Sequence, residues 1–317
     1  MKYLEKGFKY VGIFILLVLF IFAFIYLRIN VYYNNHLNEY EKSFIIQGNK
    51  YGFVPQGLVY SDKYDIVLQS SYSNNGEPSK LYVIDFTKGI LLKSFDLLDP
   101  DGNKMYDHVG GLTVSDDKVW ISSDYNIYEF NLEEIATSKD NDIKSINKKS
   151  IITRGDFCFY QDNMLWVGEY SLSFYYRVKD NNPLVMGYEV SDNIDYKKPK
   201  YVISIPKMAQ GMIILPDNTF AFSRSYSYLI NSDISIYKNV LKEDNNDYYD
   251  IDGNKIPYYT FNSSNMIEKI KIPPMSEGIF YKDGYFYILF ENNSNKYIFA
   301  YPKIDKIIKY KYTIEGW

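Results

Sequence analysis

Five stretches of this chain repeat one short pattern. VPQGLVYSD, HVGGLTVSDD, RGDFCFYQDN, MAQGMIILPDN and MSEGIFYKDG each set a polar residue or glycine ahead of a short apolar run that closes on an Asp- or Asn-containing turn. The equivalent positions Gln56, Gly110, Asp156, Gln210 and Glu277 lie 54, 46, 54 and 67 residues apart. Behind each marker come further runs of β-branched and aromatic residues, such as YDIVLQSSYS and SKLYVIDFT, parted by Asp, Asn, Gly and Ser. That pattern reads as antiparallel strands joined by hairpins.

A period of this size with about four strands per unit predicts an all-β chain folded as a β-propeller. One four-stranded unit cannot bury both its faces, so units stack, and closing the ring removes the exposed strand edges. Five blades are expected, with YEKSFIIQ (residues 40–47) joining the last blade to complete the ring. Insertions lengthen the third blade (DNNPLVMGYEVSDNIDYKK) and the fourth (NVLKEDNNDYYDIDGNKIPYYTFNSS). A sixth blade hidden there is the architectural alternative. NLEEIATS is expected to form a short helix.

The N-terminus has a different grammar. Tyr10 to Leu27 is an uninterrupted apolar run of 18 residues, just long enough to cross a bilayer core with its flanks. Lys2, Lys6 and Lys9 precede it, and Arg28 is the first basic residue after it, which places the N-terminus in the cytoplasm. A cleaved signal peptide is the rival reading, but LRINVYYNN offers no small-x-small cleavage site. The expected organisation is a cytoplasmic stub (residues 1–9), a transmembrane anchor (10–29), a linker (30–39) and an extracytoplasmic propeller (40–317), held at a cell membrane by a single pass.

With residues 1–28 carrying four basic side chains and one acidic, the chain's net charge of −4 leaves −7 on the remainder. An acidic domain is a poor partner for nucleic acid. The single cysteine, Cys158, rules out an intrachain disulfide, and in the apolar run FCFY it reads as a buried, inert thiol.

Propeller topology then locates a site. The first strand of each blade lines the channel and starts at one mouth, and the second strand runs back to that mouth. Gln56, Asp156, Gln210 and Glu277 should therefore share an end with Tyr72, Asp124, Glu169, Arg224, Tyr226 and Glu291, and His108 joins them. Crowded acids in a partly desolvated mouth hold raised pKa values, which suits Glu277 to act as a general base. His108 and Arg224 are the other catalytic candidates, Arg224 as a clamp for a substrate carboxylate or as a partner for a glutamate. The plainer reading has these side chains bond to one another and seal the channel.

With two histidines and one cysteine, zinc is not expected. Oxygen-only Ca²⁺ ligation by Glu277, Asp156 and Glu169 is chemically reasonable. DPDGNKMYD (99–107) and DIDGNKIPYY (250–259) read as turns, because aligning their glycine with a calcium loop puts Leu97 or Tyr248 where the first acid belongs. No G-x-S-x-G elbow, H-E-x-x-H pair or phosphate-binding glycine loop occurs.

At FVPQGLVYSDKYDIVLQSSYSNNGEPSKLYVIDFTKGILLKSFDL the first blade resembles the glutaminyl-peptide cyclotransferases of the five-bladed propeller type, and SEGIFYKDGYFYILFENN is similar to their acidic channel strand. The resemblance implies a propeller fold, with Glu277 and Gln56 at matching motif positions. The chain departs from it at Gly110, where the family carries a catalytic glutamate, and at GDFCF, where a Trp-Gly pair is expected. It also resembles bacterial propellers without assigned activity and, more distantly, metal-dependent lactonase propellers.

The expected function is a membrane-anchored propeller that binds a small molecule or peptide at the channel mouth. An enzyme of cyclisation or hydrolysis at the same mouth, and a scaffold whose rim binds an envelope protein, are the alternatives.

Overall fold

A computed structural model of the chain describes residues 2–172, 183–242 and 246–314. Each sequence repeat supplies one sheet, and the five sheets form a five-bladed β-propeller. Blade one is Phe53–Ser61, Ile66–Ser73, Lys80–Asp85 and Leu91–Leu98; blade two is Gly111–Val114, Lys118–Ser123, Asn126–Asn131 and Asn147–Ser150. Blade three is Phe157–Gln161, Met164–Gly168, Leu184–Glu189 and Tyr201–Ser204; blade four is Ala209–Ile214, Phe220–Arg224, Ser232–Tyr237 and Met266–Ile272. Blade five is Ser276–Lys282, Tyr285–Phe290 and Lys306–Lys311, with Glu41–Ile45 as its outermost strand. The strand nearest the N-terminus thus pairs with the last strand of the chain and latches the ring. Inner strands touch in ring order, and the fifth meets the first.

Both insertions resolve without a sixth blade. Leu184–Glu189 is the regular third strand of blade three rather than an addition to it. The insertion in blade four folds as a hairpin, Tyr248–Ile251 with Asn254–Thr260, which pairs in parallel with Tyr201–Ser204 and covers the outer edge of blade three. Asp142–Lys144 does the same for blade one against Leu91–Leu98. Both additions protect sheet edges that would otherwise present unpaired backbone groups. Ahead of Asp142–Lys144, Leu132–Thr137 is a short helix capped by the Asn131 side chain, which accepts from the Glu134 amide.

The apolar core lies between blades, as stacked sheets require. Blades one and two enclose Leu68, Phe95, Ile121 and Phe130; blades two and three enclose Trp120, Leu165 and Tyr188; blades three and four enclose Trp166, Phe220 and Phe222. Blades four, five and one share the largest cluster, around Ile234, Phe286 and Ile84. Cys158 is fully enclosed, and burial pushes its thiol up to about 12, so it is chemically inert.

Ahead of the ring runs one helix, Lys2–His36, whose apolar portion is long enough to cross a membrane. It continues through residues 30–36 of the expected linker, since no glycine or proline interrupts RINVYYNNH.

The marker residues owe their position to backbone geometry. In blades one, four and five the strand register slips at the marker, between Pro55 and Leu58, Ala209 and Gly211, and Ser276 and Ile279. Such bulges re-aim the side chain at the slip. They turn Gln56, Gln210 and Glu277 into the channel mouth. The adjoining glycines answer to crowding: a Cβ on Gly278 would lie 2.5 Å from the Leu58 nitrogen, and one on Gly110 would lie 2.3 Å from the Asp156 oxygen. Only a residue without a side chain lets the five inner strands converge this closely.

Candidate functional site

Below the mouth, Leu58, Leu112, Phe157, Met212 and Ile279 fill the channel and leave only about 30 Å³ of space. The mouth is therefore a blind cavity of about 430 Å³ over an apolar plug. Gln56, His108, Asp124, Asp156, Gln210, Tyr226, Glu277 and Glu291 line it, which brings together eight of the residues singled out from sequence.

Two of these form its chemical centre. Glu277 starts the inner strand of blade five and Glu291 follows that blade's second strand, so antiparallel pairing brings them to the same end. Their carboxyls are close enough to act directly on each other's ionisation. The Gln210 amide donates to Glu277 Oε1 at 3.1 Å, and the Gln56 amide donates to Glu291 Oε2 at 3.4 Å. Burial first, then the neighbouring carboxylate, hold Glu277 well above the ordinary range, and burial raises Glu291 to about 7. Two adjacent buried acids resist carrying two charges, so the pair keeps a proton near neutral pH.

An aromatic wall stands beside the pair. Tyr297 shares the cavity wall with Glu291, and the two side chains interact electrostatically. Lys296 donates to the Tyr72 hydroxyl and sits over the Tyr72 and Tyr297 rings, 5.1 and 5.2 Å from their centroids. Tyr72 stacks on His108 with ring centres 4.4 Å apart. Burial pushes His108 down to about 4, so at neutral pH its ring is uncharged and offers one donor and one acceptor.

Across the cavity, Arg154 grips Asp156 with Nε 2.8 Å from each carboxylate oxygen. A second guanidinium nitrogen donates to the Tyr170 carbonyl at 2.8 Å, and the Tyr170 amide returns a bond to Asp156 at 2.7 Å. Burial raises the Asp156 pKa, against the pull of Arg154.

Three expected members stand elsewhere. Tyr72 backs the wall rather than lining the cavity. Glu169 is buried beneath Asp156, accepts the Leu184 amide at 3.3 Å and is pushed up to about 7 by burial. Arg224 points away from the mouth. It bonds the Lys207 carbonyl at 3.0 Å, Ser235 Oγ at 3.0 Å and Asp233 at 3.3 Å, and so staples blade four instead of clamping a substrate. The reason is local: Asp233 lies directly opposite Arg224 on the neighbouring strand.

The calcium set considered from sequence does not assemble. Asp156 is held by Arg154, Glu169 by a backbone amide and Glu277 by Gln210 and Glu291, and among the described residues no three acidic, histidine or cysteine side chains converge as metal ligands. Both Asp-Gly segments are turns, with Asp99 accepting the Asn103 amide and Asp250 accepting that of Gly253.

Sequence reasoning missed Arg154, Tyr170, Lys296 and Tyr297. Arg154 had a signal, standing two residues before the marker Asp156. Lys296 and Tyr297 lie in the loop after Glu291, off the repeat, where no pattern reports them.

No family model matches the chain, and no curated protein matches it significantly. Among solved structures it is similar to a Myxococcus xanthus glutaminyl cyclase, at 8% identity over 85% of this chain and 94% of that one, with a TM-score of 0.48. It is likewise similar to the PQQ-bound aldose sugar dehydrogenase of Streptomyces coelicolor, at 12% identity over 86% and 96% with a TM-score of 0.47. A third is Kuenenia stuttgartiensis hydrazine synthase, at 9% identity over 74% of this chain, a TM-score of 0.40, and 55% of that chain, so this chain spans about half its length. The propeller assignment rests on the strand pairing, not on these distant likenesses.

Proposed function

We propose that the chain is a propeller tethered to a cell membrane by its N-terminal helix, displayed outside the cytoplasm, which binds a small ligand or peptide in the blind mouth. The observation that carries this reading is the Glu277–Glu291 pair, exposed to a roomy cavity while each carboxyl is held by one glutamine. Acceptor oxygens dominate that floor, so the fitting ligand presents an amine, amide or hydroxyl donor, with Tyr226 and Tyr297 covering its apolar part.

Titration of the full chain in detergent micelles with free amino acids, short peptides, amines and sugars, read as thermal stabilisation, tests it. A compound that stabilises the native chain and not the Glu291→Gln variant supports the reading. Stabilisation by none of them, or equally in both chains, overturns it.

A second reading is favoured by one observation. A carboxyl titrating near neutrality beside a second, more strongly protonated one is an acid–base pair suited to proton transfer in cyclisation or hydrolysis. Turnover of the bound compound with a bell-shaped pH profile, lost in Glu277→Gln, would distinguish catalysis from binding.

A further inference from the structure

The helix and the mouth lie on the same side of the propeller. Within each blade the second and fourth strands end at the mouth, so the segment after Arg224 and the carbonyl of Ile272 both belong to the mouth face of blade four. Tyr33, fully buried near the helix end, donates from its hydroxyl to Asn231 Oδ1 at 2.7 Å and lies 2.9 Å from the Ile272 carbonyl. Two turns earlier, Phe24 and Ile25 face Leu229 and Ile230. Leu37, past the helix end, packs into the cluster between blades four and five. Contacts in this order mean that the helix climbs the flank of the ring and leaves past the mouth-side loop 225–231, the loop that also carries the cavity residue Tyr226.

Residues 7–23 are exposed apart from the half-buried Val18. At ~1.5 Å per residue they project roughly 25 Å beyond the mouth face, most of a bilayer's hydrocarbon thickness. Phe24 and Ile25 belong to the same apolar run, so Leu229 and Ile230, which line one recess with them, stand level with that part of the helix. The flanking groups suit that depth. Arg28 and Lys271 line the same recess, and Lys271 sits 4.1 Å from the centre of the Tyr32 ring. On blade five, the loop that supplies Lys296 and Tyr297 to the cavity continues directly into Ile298 and Phe299, each 69% exposed. Neighbouring large apolar side chains left in the open beside a site mark a contact surface.

We infer that the propeller is held mouth-down on the bilayer, with Ile230, Ile298 and Phe299 in the interface, and that the ligand of the mouth is the polar head of a membrane-embedded amphiphile. This rests on the binding reading above and names the ligand's source: a head group enters the cavity while its tail stays in the lipid. Ile298 and Phe299 follow the cavity residue Tyr297 directly, so an amphiphile held by them reaches the Glu277–Glu291 pair without crossing water.

Cysteine reporters on the full chain in phosphatidylethanolamine–phosphatidylglycerol vesicles test it, because the native Cys158 is buried and is not expected to label. A fluorophore on Ile298→Cys or Ile230→Cys is expected to be quenched several-fold more by brominated lipids than one on Asp116→Cys, in a turn at the far end of the channel. Diazirine carried on the lipid head groups is expected to crosslink Tyr226 or Tyr297. Equal quenching at both ends, or stronger quenching at Asp116→Cys, overturns the orientation and needs no ligand, so it is independent of whether the cavity binds anything. Mouth-side quenching with head-group crosslinks confined to residues 7–33 overturns the amphiphile. A soluble compound that binds in an Glu291-dependent way would then keep the simpler binding reading standing alone.

Discussion

Glu277 and Glu291 stand at opposite ends of one hairpin in the sequence of blade five and at the same end of it in space, where both line the cavity and Glu291 raises the resistance of Glu277 to ionising. Among the described residues, neither acid has a cation at ion-pair distance. Lys296, whose charge acts on both acids, bonds Tyr72 instead. The pair therefore favours keeping a proton near neutral pH.

A pH dependence of stability follows. Glu291 is raised from an ordinary 4.5 to about 7, so the native state holds a proton that the unfolded chain has released. Its contribution is complete below about 4.5 and is lost as pH rises through about 7. Glu169 titrates in the same window and the same direction. The stability of the full chain should fall between pH 5 and pH 8 by at most about 2–3 kcal/mol for each of these two groups. Glu291→Gln, which keeps the shape and removes one charge, should flatten that fall.

Lys296 and Arg224 separate by the same measurement. Lys296 lowers the Glu291 pKa through its charge, so Lys296→Ala should move the midpoint of the fall to higher pH. Arg224 touches Asp233, Ser235 and the Lys207 carbonyl, not the pair. Arg224→Ala leaves Asp233 with Lys269 at 3.3 Å as its remaining cation. It should cost on the order of 2 kcal/mol at every pH without moving the midpoint. A shifted midpoint in Arg224→Ala would return that residue to the site.

The marker glycines give a sharper stability contrast. A Cβ at Gly278 would press on the backbone of Gln56 and Leu58 in the neighbouring blade, which cannot give way without opening the ring. Gly278→Ala should lose roughly 2–3 kcal/mol in chemical denaturation. Gly284, with φ +81° but open space around it, should lose only about 1 kcal/mol as alanine.

The difference between these positions explains what was legible in the sequence. The repeat is a backbone signal: glycine at a close approach, a polar residue at a bulge, an Asp-Gly turn. Positions on it, from Gln56 to Glu277, could be placed in space without coordinates, as could Glu291 and Asp124, which return to the same mouth by strand alternation. Arg224 obeyed that alternation in its backbone, but its side chain was claimed by Asp233, a cross-strand partner outside the repeat. Lys296 and Tyr297 reach the cavity from a long loop, and loop paths leave no period. The blade-four insertion was visible as extra length, yet its docking on blade three depends on a parallel pairing between residues more than fifty apart.

Tyr33 ties the helix to the ring, and its loss should be readable apart from any membrane effect. The hydroxyl is buried between Asn231 Oδ1 and the Ile272 carbonyl, 198 and 239 residues away in sequence. Tyr33→Phe keeps the ring's packing and leaves both acceptors without this donor. Deleting a donor to buried acceptors costs about 1–3 kcal/mol, spent here on the contact between helix and blade four rather than on the blades themselves. Limited proteolysis of the full chain should therefore cut residues 34–40 several-fold faster in Tyr33→Phe, while the propeller's denaturation midpoint stays where it was. Unchanged cleavage would mean that Leu37 and the Glu41–Ile45 strand alone hold the helix in place.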